Sequence, residues 1–325
     1  MITVNNLVKT FGAKRAVNGV SFTVEKGEVL GFLGPNGAGK STTMRMITGF
    51  IPPTEGTVSI GGHDIVNDPI AAKKLMGYLP ENAPAYTDMT VYSFLKFAAE
   101  LRGFSGDSLR QAIHKVVEMC FLESVLHQSV DTLSKGYRHR TCFAQSIIHN
   151  PPVLILDEPT DGLDPNQKHE VRTLIRRMGE TKAIVFSTHI LEEVEAACTR
   201  AIIIDRGQIV ANGTPAELKA RSELAGAVTV RIYGVPAAQA SSVLGQAALA
   251  RRASVVKEEN GCALMRVYPR DPAARNGELA RQVAEILTGQ HWKFDELHTE
   301  EGRLDEVFRS ITMPDTAPAA QPVKS

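Results

Sequence analysis

No stretch of this 325-residue chain approaches the roughly 18 apolar residues that a membrane-spanning helix needs. The opening segment MITVNNLVKTFG lacks the basic flank and apolar core of a signal peptide. Both absences point to a soluble, cytoplasmic chain. Charge of one sign is also missing: Lys plus Arg and Asp plus Glu each total 36. No global field therefore draws the molecule to nucleic acid or to an acidic membrane face. The balance repeats from Gly226 onward, twelve basic against twelve acidic residues, so the C-terminal region is not a basic arm. Cysteine is sparse. Cys120, Cys142, Cys198 and Cys262 are scattered in apolar surroundings without metal-ligand spacing, and read as buried thiols of a reducing compartment.

What is present is a rhythm of short elements. Residues 2 to 62 alternate β-rich runs, ITVNNLVKTF, RAVNGVSFTVE, EVLGFLG and GTVSIGG, with one helical insertion after Gly39. From about Val91 to Ile148 apolar residues fall at three- and four-residue spacing, as in VYSFLKFAAELRG, which predicts an all-α insertion. VLILDE and AIVFSTH flank the helical NQKHEVRTLIRRM, a βαβ rhythm that requires a parallel sheet. AIIIDRGQIVANG reads as a hairpin turning at Arg206 and Gly207, and the pattern restarts between Arg221 and Gly226. The last hundred residues predict a small α+β unit, its paired strands turning at Asn260 and Gly261, with Pro314 to Ser325 as a mobile tail.

Three stretches carry chemistry. GPNGAGKS, comprising Gly34, Pro35, Asn36, Gly37, Ala38, Gly39, Lys40 and Ser41, matches G-x-x-x-x-G-K-[ST] between an apolar strand and a helix. Its glycines let backbone N–H groups face phosphate oxygens, and the following helix N-terminus, with Thr42 in its first turn, adds its dipole. Lys40 would reach the β- and γ-phosphates and Ser41 would ligate Mg²⁺. LILDEP ends a buried strand with Asp157 and Glu158, at the sheet edge where open α/β sheets bind ligands. There Asp157 would hold Mg²⁺ through water and Glu158 would polarise an attacking water. His189 ends the strand IVFSTH on the same edge; a lone histidine is more often structural, but this placement favours function.

Over residues 1 to about 220 the chain resembles the ATP-binding subunits of ABC transporters, because these motifs recur in family order and spacing together with LSKGY, Leu133 to Tyr137. LSKGY stands where the family has its LSGGQ signature loop. The resemblance implies that Ser134 and the N–H groups around Gly136 grip the γ-phosphate of ATP bound to the other subunit of a head-to-tail dimer. Alone, TLSKG reads only as a helix cap. Lys135 and Tyr137 depart from the pattern, and Lys135 either adds charge near the partner's phosphates or points to solvent. Phe11 matches the aromatic that stacks on adenine, its alternative being an ordinary strand residue. Asp164 matches the loop that contacts the opposite subunit, and His189 the switch histidine. Glu81, in GYLPENAP, falls where most members have a glutamine that senses Mg²⁺; a glutamate accepts from water and metal but donates no N–H unless protonated.

The resemblance implies an α/β P-loop NTPase core of the ABC ATPase kind over residues 1–220. It has an antiparallel β subdomain and an α-helical insertion at about 85–150; the small C-terminal α+β domain over 221–313 rests on its own pattern, since the resemblance is weaker over residues 226–325. It implies ATP and Mg²⁺ as cofactors, and as partners a homodimer or paired ATPase subunit and an integral membrane permease. It implies no nucleic acid. The single nucleotide-binding unit and the ending LDEVFRSIT look like the ABC-2 type, including its gliding-motility-associated branch, which serves separately encoded permeases, mostly exporters. The chain would then lie on the inner face of the cell membrane, held there through the permease. Tyr86, Met89, Tyr92, Phe94 and Phe97 would line a groove for a permease helix, or else pack inside the helical insertion. The C-terminal domain reads as a regulatory or dimer-supporting unit, with a docking site as its alternative. The rival function is a soluble ABC-type ATPase acting on ribosomes or DNA, but fused nucleotide units, a long coiled coil and zinc ligands are all missing.

Overall fold

A computed structural model describes residues 1–82, 84–259, 261–271 and 277–312. The tail expected over 314–325, and Asn260 at the expected turn, lie outside the described residues. The chain divides into two compact units, Met1–Thr214 and a second beginning at Pro215. The boundary expected at 220/221 therefore falls inside the second unit, which opens with a short helix.

The first unit begins with β1 (Ile2–Phe11), β2 (Lys14–Val24), β3 (Val29–Leu33), α1 (Lys40–Ile47), β4 (Glu55–Ile60) and β5 (His63–Asp64). It continues with α2 (Pro69–Lys74), β6 (Met76–Leu79), α3 (Val91–Leu101), α4 (Gly106–Met119) and α5 (Lys135–Ile147). It ends with β7 (Val153–Asp157), α6 (Pro165–Gly179), β8 (Ala183–Thr188), α7 (Leu191–Ala197), β9 (Arg200–Asp205) and β10 (Gln208–Gly213). One sheet has the order β2-β1-β4-β5 and is antiparallel; a second has the order β10-β9-β3-β8-β7-β6. In the second, β9, β3, β8, β7 and β6 are parallel and only β10 runs back, through the turn at Arg206 and Gly207.

The residues show which strands are central. VLGFL, VLILD and AIVFST are buried at every position, as central strands covered on both faces require. One core joins this sheet to α3, α4, α5 and α6 through Leu95, Ile113, Phe143, Leu154, Ile175 and Phe186. The other lies between the two sheets around Phe22, Phe32, Met44, Val58 and Ile202. Side-chain caps fix three helix starts: Thr90 accepts from Ser93 N–H on α3, Ser134 from Tyr137 N–H on α5, and Asp164 from Gln167 N–H on α6, ahead of Pro165.

The second unit holds α8 (Pro215–Lys219), β11 (Val228–Tyr233), α9 (Ala237–Gly245), β12 (Ala250–Glu259), β13 (Cys262–Pro269), α10 (Glu278–Gly289), β14 (Lys293–Thr299) and α11 (Leu304–Ile311). Its sheet has the order β12-β13-β11-β14 and is antiparallel throughout. Val228, Val230 and Ile232 on β11 alternate inward to meet Leu244 of α9 and Val283 and Leu287 of α10. Among the described residues no helix is long and apolar enough to cross a membrane.

Candidate functional site

Strands β3, β8 and β7 are neighbours, so their carboxyl ends bring three distant segments to one edge. Gly34–Ser41 follows β3, Asp157 and Glu158 end β7, and His189 follows β8; Leu33 pairs with Thr188 and Asp157 with Ser187. The phosphate loop turns from β3 into α1 through Gly37 (φ 80°) and Gly39 (φ 107°), conformations that favour glycine. Glycine at 34 has a packing reason: a Cβ there would stand 2.4 Å from the Ile204 carbonyl oxygen. Ala38 N–H donates to the Pro35 carbonyl at 3.2 Å and Ala38 C=O accepts from Gly207 N–H at 2.9 Å, fixing the loop against the β9–β10 turn.

A cleft of about 420 Å³ opens beside this loop, lined by Phe11, Lys14, Ala16, Asn36, Gly37, Gly39, Lys40, Ser41, Thr42, Glu81 and Glu158. Phe11 stands half exposed at its mouth with Lys9 Nζ 5.2 Å from its ring centre. Lys14 and Ala16, at the start of β2, reach the cleft because the tight β1–β2 turn after Phe11 carries them in; a strand lysine and a strand alanine give no signal of that in sequence.

Lys40 is buried, and its Nζ donates to the Gly34 carbonyl at 2.8 Å and stands 3.6 Å from Glu158 Oε1. Glu158 sits at φ 50°, an uncommon backbone for a side chain of this size. Its other oxygen, Oε2, lies 3.0 Å from His189 Nδ1. Asp157 Oδ1 accepts from Ser41 Oγ at 3.1 Å and from Ser187 Oγ at 2.6 Å. Burial raises the Asp157 carboxyl above the usual carboxylate range; the Ser187 and Ser41 hydroxyls oppose that shift and the Glu81 charge adds to it. Asp157 Oδ2 is buried without a hydrogen-bond partner. A lone buried carboxylate oxygen beside a serine hydroxyl and a second carboxylate is a hard-oxygen set, and it fits Mg²⁺.

Ser134 and Gly136 are not brought to this cleft. Ser134 caps α5, and Gly136 lies against α6, where a Cβ would stand 2.4 Å from Gln167 Oε1. Asp164 caps α6. Lys135 Nζ donates to Asp161 Oδ2 of the same chain at 3.0 Å, in an exposed ion pair. The aromatic set divides. Tyr86, Phe94 and Phe97 line a cleft of about 480 Å³ with Pro84, Ala85, Ala98, Leu101, Arg102 and Gln145, Tyr86 standing edge-on to both phenylalanines. Tyr92 lies instead in a separate cleft with Ile113, Val117 and Leu126, because α3 turns it to the α4 side.

A sheet with a glycine-rich loop before its first helix, acids at the next strand ends, an antiparallel β sheet and a helical insertion is the fold of a P-loop nucleoside triphosphatase. The sequence pattern of the ABC transporter family matches residues 17–161. The chain is 34% identical over 314 residues to the Nod factor export ATP-binding protein I of Ralstonia nicotianae, covering 96% of this chain and 94% of that one. To the linearmycin resistance ATP-binding protein LnrL of Bacillus subtilis it is 30% identical over 313 residues, 96% and 98% covered. A solved ATP-binding subunit of an ABC transporter superposes with a TM-score of 0.63 at 30% identity over 67% of this chain and 92% of that one. The chain belongs to the family of ABC transporter ATP-binding subunits: it binds and hydrolyses ATP to power a transporter. A dimeric ABC transporter cassette shares the fold, with a TM-score of 0.62 at 24% identity over 66% of this chain.

Proposed function

We propose that this subunit pairs head to tail around two MgATP and drives a separately encoded membrane permease of the ABC-2 export type from its cytoplasmic face. The observation that carries the hydrolytic reading is the Glu158 carboxyl, held 3.0 Å from His189 Nδ1 and 3.6 Å from Lys40 Nζ at the rim of the phosphate-loop cleft. In this reading Phe11 stacks on the adenine and the backbone of Gly34, Pro35, Asn36, Gly37, Ala38 and Gly39 cradles the phosphates with Thr42. Lys40 neutralises the β- and γ-oxygens. Ser41, Asp157 and Glu81 hold the Mg²⁺, which supplies charge neutralisation at the phosphates when bound. Glu158 orients and polarises the water that attacks the γ-phosphorus, releasing ADP and phosphate, and His189 fixes the Glu158 carboxyl. Ser134 and Gly136 of one subunit close on the γ-phosphate held by the other, which accounts for their distance from their own chain's cleft.

Relatives named for Nod factor export and for linearmycin resistance support export as the direction. The soluble rival acting on ribosomes or DNA is not favoured, since relatives matched along nearly the whole chain are transporter-type ATP-binding proteins. The Tyr86–Phe94–Phe97 cleft is the proposed seat for a permease helix, and the second unit is proposed to support pairing. The test is to purify tagged Glu158→Gln from detergent-solubilised membranes in ATP. The reading expects an ATP-loaded dimer, hydrolysis slowed by orders of magnitude and a co-purifying polytopic membrane protein, lost with Tyr86→Ser. Normal turnover rejects Glu158 as the water-activating group; ribosomal or DNA-bound partners reject the permease.

A further inference from the structure

Glu193, on α7, takes no part in the cleft, yet it is one of the most enclosed acidic side chains of the first unit at 1% exposure. Both its oxygens are occupied. Thr160 Oγ1 donates to Oε1, and Thr188 Oγ1 donates to Oε2 at 2.6 Å. Thr188, wholly buried, also accepts from Ile190 N–H at 3.0 Å. The two threonines stand at telling places. Thr188 is the last residue of β8, immediately before His189; Thr160 lies two residues after Glu158, at the entry to the Asp161–Asp164 loop. That loop pairs through Asp161 with Lys135, next to Ser134.

We infer that Glu193 is a positioning residue that ties the His189 arm to the Thr160–Asp164 loop, and so sets the Glu158–His189 contact and the seat of the signature loop together. An exposed ion pair such as Lys135–Asp161 holds little by itself. A buried carboxyl satisfied by two hydroxyls from two strand ends holds a fixed geometry, because loss of either bond leaves a buried polar group unpaired. The arms are otherwise joined here by Ser187, which binds Asp157 Oδ1 and the Glu158 N–H but does not reach the Thr160 loop. Glutamine at 193 keeps one acceptor oxygen and turns donors toward the other hydroxyl. It preserves half of the link.

The proposal rests on the roles given above to Glu158 and His189, so Glu158→Gln is measured beside it. Steady-state ATPase activity, ATP affinity and thermal midpoint are read at 25 °C for the wild type and for Glu193→Ala, Glu193→Gln, Thr160→Val and Thr160→Val/Glu193→Ala. Expected are a kcat about 10- to 100-fold lower for Glu193→Ala, with KM for ATP within about twofold, since Lys40 and Phe11 are untouched. Glu193→Gln falls between Ala and wild type. Thr160→Val, which keeps the buried volume and guards against a Glu193→Ala that fails to fold, lowers kcat by itself. It adds nothing when Glu193 is already Ala. Wild-type kcat in Thr160→Val, or losses that simply add in the double variant, overturn the proposal. If Glu158→Gln turns over normally, the reading of the hydrolytic site fails instead, a result separable from any behaviour of the Glu193 set.

Discussion

Replacing Ser187 with alanine tests the packing beneath the cleft through a residue that does not itself line it. Its hydroxyl is wholly buried, donates to Asp157 Oδ1 at 2.6 Å and accepts from Glu158 N–H at 3.0 Å. A hydrogen bond to a charged acceptor contributes about 1.5–3 kcal/mol, and an orphaned buried N–H costs about 1–3 kcal/mol. One hydroxyl serves both and the site relaxes in part, so the expected loss is about 2–4 kcal/mol. For a unit of this size that lowers the thermal midpoint by about 4–16 °C. Glu158 is held at φ 50°, and without its N–H partner the backbone is free to relax toward a commoner conformation, turning the carboxyl from His189. The expected kcat is therefore about 10- to 100-fold lower at a temperature well below the new midpoint. Ser146→Ala is the control, because its buried hydroxyl donates to the Phe143 carbonyl, inside a helix whose ladder already serves that group. Scanning calorimetry and a coupled ATPase assay check both variants. A Ser187→Ala midpoint and turnover matching those of Ser146→Ala would refute the reasoning.

Lys40→Ala removes the cation that the Gly34 carbonyl now holds at 2.8 Å; nucleotide binding itself is expected to vanish, read by titration with a fluorescent ATP analogue. Gly136→Ala sets a Cβ against the far end of the Gln167 side chain, which can swing away, so stability should change by less than about 1 kcal/mol while ATP-dependent dimerisation falls. Size-exclusion chromatography of the Glu158→Gln background with ATP separates those effects. His139 and His149 are pressed down to about 4 chiefly by burial. Both stay neutral in the folded chain where an unfolded histidine, near 6.5, takes a proton. The stability they allow is full above pH 6.5 and is lost as pH falls toward 4, by about 1.4 kcal/mol per unit for the buried His139 and by less for the partly exposed His149, where solvent screens the charge. Thermal midpoints across that window should fall less steeply for His149→Gln than for the wild type.

The sequence by itself determined the elements and their chemistry. Short uninterrupted apolar runs such as VLILD, alternating with helical segments, read as strands covered on both faces, and the spacing of glycines around Lys40 serves an anion cradle. It left β6, β5 and α2 unannounced, since MGYL, HD and PIAAKK are too short to carry a period. The strand order belongs to the tertiary structure. Only the placement of β8 between β3 and β7 sets His189 against Glu158, and no local pattern encodes which strands become neighbours. Lys135 reads in sequence as either a phosphate-seeking or a solvated charge, and its contact with Asp161, 26 residues away, is nothing a local pattern shows. Tyr86 and Tyr92 look alike in sequence as aromatics near the start of α3, yet Tyr86, in the loop before the helix, and Tyr92, on the α4 side of it, end in different clefts. Glu193 shows the limit most plainly. In LEEVEAA it is one of three similar acids, and only the packing of α7 against β8 and β3, beside the loop that holds Thr160, withdraws it from water and gives it two hydroxyls. Composition and period fix what each segment is; burial and proximity, set by the whole chain, fix what a side chain does.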